Sequence, residues 1–166
     1  MVVAAAFLSE SGNTPATRVP APEQLDIGGP RSIENEPQGR CQGTGASNMI
    51  SLRQALAVSC NTAFIGMAGT LGWPKVRDTA VALGFQLRDQ PEGAQPLALG
   101  RGAETTVGPD TAQGAQIGND GLGGGGVEGA PLQMAAMIAT IANEGRAVQP
   151  SLVTAVRRPG SHRRSR

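Results

Sequence analysis

This sequence is short of the side chains on which most active sites and most cores are built. Among 166 residues there is one lysine (Lys75), one histidine (His162), one tryptophan, three phenylalanines and no tyrosine. A single histidine near the C-terminal end excludes a Ser-His-Asp triad arranged by neighbouring elements. Two cysteines and that histidine cannot supply the three or four ligands of a zinc site, so no metal and no cofactor is expected. No apolar run approaches the roughly 18 residues of a membrane-spanning helix. The net charge is +1. The one basic cluster, "RRPGSHRRSR" at residues 157–166, reads as a disordered, solvated tail, and no nucleic-acid partner is expected.

With so few aromatic residues, a core must come from Ala, Leu, Val, Ile and Met, each burying little area. The 24 glycines and 12 prolines are well above ordinary usage and imply helices joined by long irregular segments. Residues 1–10 read as an apolar helix stopped by "SGNTP". Residues 14–48 read as a long loop with at most a short strand.

Residues 51–54, S-x-x-Q, form a capping box. In the helix that follows, Leu52, Ala55, Leu56 and Ser59 share one face, which turns the Ser59 hydroxyl inward. Asn61 or Thr62 caps a next helix with a face of Phe64, Ile65, Ala68 and Leu71, ended by Gly72. Pro74 opens a third, through Val76, Ala80 and Leu83 to Gly84.

Residues 86–129 are again loop-like. Within them Gly121, Gly123 and Gly126 spell G-x-G-x-x-G. A dinucleotide loop needs a strand directly before it and an acidic residue about 20 positions on, and neither is present. Pro131 opens a last helix with a buried stripe of Leu132, Ala135, Ile138 and Ile141 or Ala142, ended by Gly145. "SLVTAVR" at residues 151–157 alternates like a short strand. Cys41 and Cys60 suit a disulfide in an oxidising compartment and two small buried thiols equally well.

Three segments carry a resemblance. "SLRQALAVSCNTAF" with "IGMAGTLG" resembles the stretch around the second motif, S-x-N, of penicillin-binding protein transpeptidase domains, class B and actinobacterial in type. "GGVEGAPLQMAAMIATIANEG" resembles that family's Gly-Gln-Gly turn, its Thr-Pro-Leu-Gln-Met-Ala helix and the Ala-Asn-Gly-Gly that ends it. "VVAAAFLSESGNTP" with "PAPEQLDIGG" resembles the helix after the nucleophile and the loop beyond. The segments come in the family's order and span most of residues 1–156, the expected partial domain.

The resemblance implies an α+β fold of the serine β-lactamase and D,D-transpeptidase kind. It would be incomplete here, with the mainly helical part and little of the antiparallel sheet. It implies catalytic roles for Ser59, as a proton-relay hydroxyl, and Asn61, as the ligand of the substrate's peptide group. The substrate class is the D-Ala-D-Ala stem peptide of peptidoglycan, with β-lactams as mimics.

The family also uses S-x-x-K for the nucleophile and K-T-G on a strand. Lys75 belongs to neither, because residue 72 is Gly and Val76-Arg77 follows the lysine. The chain is therefore expected to be an internal piece, inactive alone, with the nucleophile just ahead of Met1. The alternative is a non-catalytic helical binding module, or a pseudoenzyme, that interacts with cell-wall synthesis proteins. The intact family is extracytoplasmic and membrane-anchored. This piece shows no basic leader and no anchor, and is expected to stay cytoplasmic if made alone.

Overall fold

The computed structural model describes residues 1–28, 32–36, 39–87, 106–107, 117–118, 122–123 and 127–147. The architecture is α+β, mainly helical, with three two-stranded pairings and no larger sheet among the described residues. The tail at residues 157–166, the strand read at 151–157, and Gly121, Gly124 and Gly126 of the glycine run lie outside the described residues.

Helix α1 (Val2–Leu8) buries Val3, Ala4 and Ala6. Its last carbonyls are taken by side chains: the Ser9 hydroxyl donates to Ala6 O at 2.7 Å and Asn13 Nδ2 to Phe7 O at 2.9 Å. The following loop is more ordered than the sequence suggests. Strand β1 (Arg18–Pro20) pairs antiparallel with β4 (Met49–Ser51), setting the buried Val19 opposite the buried Ile50. Between them β2 (Gln24–Leu25) and β3 (Ile33–Glu34) pair antiparallel. Two- and three-residue strands are too short to show a period of two, so composition hid them.

Helix α2 (Leu52–Ala57) starts as the capping box requires, with the Ser51 hydroxyl accepting from Gln54 N–H at 3.2 Å. The Gln54 side chain does not return the bond; it lies along Gly43, where an added Cβ would sit 3.1 Å from its Cγ.

Helix α3 (Asn61–Leu71) buries Thr62, Ala63, Ile65, Met67 and Ala68, with Phe64 and Leu71 half-buried against the same core. Gly72, at φ 78°, turns the chain into α4 (Trp73–Ala82). Trp73, only 2% exposed, centres a cluster of Val3, Met67, Val76, Ala80 and Phe85. Lys75 Nζ pairs with Glu10 Oε1 at 2.8 Å on the surface, tying α4 to the end of α1. Strands β5 (Gln86–Leu87) and β6 (Thr106–Val107) pair in parallel within the region read as loop.

Helix α5 (Pro131–Ala142) corrects the sequence reading. Its buried face is Gln133, Ala136, Met137 and Thr140. The expected stripe faces outward, with Ala135 exposed and Leu132, Ile138 and Ile141 at 44%, 46% and 42% exposure. The physical reason is polar. Gln133 Nε2 donates to Leu83 O at 3.3 Å, at the end of α4, and Met137 packs into the core beside it.

Candidate functional site

The segment joining α2 to α3 is a Schellman turn. Cys60 N–H donates to Ala55 O at 2.9 Å and Ser59 N–H to Leu56 O at 3.3 Å. The residue between helix end and Cys60 must then be left-handed, and Ser59 has φ 53°. Glycine takes that conformation freely, whereas a Cβ there crowds the following carbonyl.

This geometry corrects the expected inward Ser59. The helical phase that put it beside Leu52 and Ala55 ends at Ala57. The left-handed residue leaves the helix surface, and Ser59 is exposed. Leu56, expected on the buried face, is also exposed, at 44%. Among the described residues no side chain bonds to the Ser59 hydroxyl.

Cys60, next in the chain, is fully buried and bonded to Cys41, with sulfurs 2.05 Å and Cα atoms 5.6 Å apart. The structure thus brings together the two cysteines for which the sequence left both states open. The bridge fixes the start of α3 against the loop at residues 39–45.

Asn61 is the first residue of α3 and half-buried; its Nδ2 donates to Glu34 O at 3.2 Å. Neither Asn61 nor Thr62 caps the helix, contrary to expectation. The capping position falls on Cys60, which supplies no side-chain acceptor. The acceptor is Asn35 Oδ1, which takes Thr62 N–H at 3.0 Å. Sequence reasoning missed Asn35, because no local signal marks a side chain that caps a helix 27 residues away.

Ser59 and Asn61 therefore stand at one corner, two residues apart, with Cys60 nailed between them. The hydroxyl of Ser59 is open to solvent. Asn61 commits one of its two amide protons to Glu34, leaving the other proton and its oxygen available to a ligand. Lys75 is engaged with Glu10 and is no partner to Ser59. No helix among the described residues is long and apolar enough to cross a membrane.

Comparison with known proteins points one way. The chain is 36% identical over 146 residues to the peptidoglycan D,D-transpeptidase PbpA of Mycolicibacterium smegmatis, covering 88% of this chain and 27% of that protein. Identity to PbpA of Mycobacterium tuberculosis is 35% over 146 residues, with the same coverage. A solved structure, penicillin-binding protein A from M. tuberculosis as its penicillin G acyl-enzyme complex, superposes with a TM-score of 0.73 at 33% identity, over 90% of this chain and 32% of that one. The chain thus spans about a quarter of the length of the curated relatives it matches. The sequence model described as "Penicillin binding protein transpeptidase domain" matches residues 2–165. By these matches and by its partial α+β fold, the chain belongs to the family of penicillin-binding protein transpeptidase domains.

Proposed function

We propose that these residues form the S-x-N portion of a peptidoglycan D,D-transpeptidase domain, in which Ser59 relays protons and Asn61 binds the substrate's peptide group. In the complete domain a nucleophilic serine adds to the carbonyl of D-Ala-D-Ala or of a β-lactam. Its proton passes through the motif lysine and the Ser59 hydroxyl to the departing amine, leaving an acyl-enzyme. Asn61 would meet the substrate amide with its free Nδ2 proton and its Oδ1, so that both ends of a peptide group are recognised.

The observation that carries this reading is Ser59 itself. A serine held in a conformation that suits glycine, with its hydroxyl outward and unpartnered, costs stability and gives none back locally. Such strain collects where a side chain is needed for chemistry.

Within these residues there is no S-x-x-K and no K-T-G. A relay hydroxyl has nothing to relay without nucleophile and base, which act as a unit. The chain alone is accordingly inactive in acyl transfer, and the wall-facing work and membrane anchoring belong to a longer protein. The test is incubation of the purified chain with a fluorescent penicillin, read on a denaturing gel and by intact mass. No covalent adduct is expected. Stoichiometric acylation at one residue would overturn the reading.

The alternative, a non-catalytic binding module, has one observation in its favour, the outward apolar stripe of α5. A saturable complex with another wall-synthesis protein, abolished by Ile138→Glu but not by Ser59→Ala, would favour it.

A further inference from the structure

The start of α3 poses a problem of hydrogen-bond supply. The first N–H groups of a helix have no partner within it. The Cys60 sulfur is spent in the disulfide, and Asn61, the residue type that local rules would choose as a cap, already sits inside the helix.

Asn35 solves it from outside. It is 3% exposed. Its Oδ1 accepts Thr62 N–H at 3.0 Å. Its Nδ2 carries two protons and has Gly39 O at 2.9 Å and Pro22 O at 3.1 Å. The Thr62 hydroxyl lies 2.7 Å from Pro22 O and 3.1 Å from Asn35 Oδ1. It has a single proton, and the shorter bond to Pro22 takes it. One buried side chain is thereby fully satisfied, and it joins the loop before β2, the loop at residues 39–45 and the start of α3.

The same residue controls what lies next to it. The carbonyl that accepts from Asn61 Nδ2 belongs to Glu34, and it lies in the peptide plane that ends at the Asn35 nitrogen. Holding Asn35 by three bonds holds that plane, and the plane aims the Asn61 amide.

We propose that Asn35 is the positioning residue of the S-x-N site. By capping α3 it frees Asn61 from that task, and through the Glu34 carbonyl it orients the Asn61 amide. This inference rests on the reading of Asn61 as the substrate-amide ligand. Without Asn35, the start of α3 shifts by one residue. Asn61 then becomes the cap, with its oxygen turned back onto Ala63 or Phe64 N–H.

The experiment is nitrogen-15 NMR of the full chain, wild type against Asn35→Ala, following the side-chain amide of Asn61 with the Trp73 indole as a probe of the core. In the variant, the Asn61 amide protons should move to the shifts of a free asparagine and exchange with water about tenfold faster, as loss of a cap implies. The Trp73 indole signal should stay in place. A merely structural Asn35 would lower protection everywhere and leave the Asn61 amide on Glu34 in the folded molecules. That outcome overturns the proposal.

If Asn35→Ala does not fold, the wild type decides. The side-chain amides of Asn35 and Asn61 and the N–H of Thr62 should then exchange with a common opening rate. An Asn61 amide exchanging freely beside a protected Asn35 overturns the proposal. None of these signals involves a ligand, so failure of the substrate reading, tested by peptide or penicillin, is distinguishable from failure of the positioning.

Discussion

Replacing Ser59 with glycine should make this protein more stable. Ser59 has φ 53° and no hydrogen bond from its hydroxyl among the described residues. The left-handed conformation costs a residue with a Cβ about 1–2 kcal/mol. Glycine removes that cost but gains freedom in the unfolded chain, worth about 0.5–1 kcal/mol against it. The net gain is about 0.5–1 kcal/mol, which at a urea dependence near 2 kcal/mol per molar moves the midpoint upward by about 0.25–0.5 M. Ser59→Ala keeps the Cβ and should fall within about 0.5 kcal/mol of wild type, as exposed changes usually do. Trp73, the single tryptophan and buried, reports unfolding by its fluorescence. Glu144, at φ 56° beyond α5, where the family pattern has glycine, serves as the control. Glu144→Gly should gain a similar amount without touching the site. If Ser59→Gly melts in urea at or below the midpoint of Ser59→Ala, position 59 holds no strain. The argument that its serine is kept for chemistry then fails.

Two further outcomes follow from features of the same region and of the N-terminus. Reducing the Cys41–Cys60 bridge, or replacing both cysteines with serine, should lower stability by about 3 kcal/mol, from the loop of 19 residues it closes on a chain-entropy estimate; an unchanged urea midpoint under reductant would refute this. The amine of Met1 has its pKa pushed below the ordinary 8.0 by burial, so the unfolded chain binds more protons in the window below 8.0. Stability should therefore rise with pH up to about that value and level off above it, and acetylation of the amine should abolish the step; a midpoint that falls with pH over this range would sink the reasoning.

The helix starts and stops were legible because they are local. Ser51, Pro74 and Pro131 mark starts, and Gly72, Gly84 and Gly145 mark ends, each through one backbone constraint. Ser59 was misjudged for the same reason. Left-handed ends are read from glycine, none stands at residues 58–60, and so the helical phase was carried two residues too far. On α5 nearly every position is apolar, so period alone offers two faces. The choice between them was made by one bond, from Gln133 to the end of α4, which is tertiary. Asn35 was invisible because its partners, at residues 22, 39 and 62, are distant in sequence. Of the candidate site, the residue types and their spacing could be read, but not the outward hydroxyl, the outside cap or the covalent bond between Cys41 and Cys60.

That bond makes residues 41–60 a closed ring, and α2 with Ser59 lies inside it. Arg53, exposed on α2, is a tryptic site within the ring, whereas Arg40 lies just outside it. A cut after Arg53 adds one water to the mass yet releases nothing, and only reductant parts the two halves. A cut after Arg40 separates the chain at once. The stretch that carries Ser59 can be nicked without being lost, so a protease that reaches α2 leaves both flanks of the site attached to the same molecule.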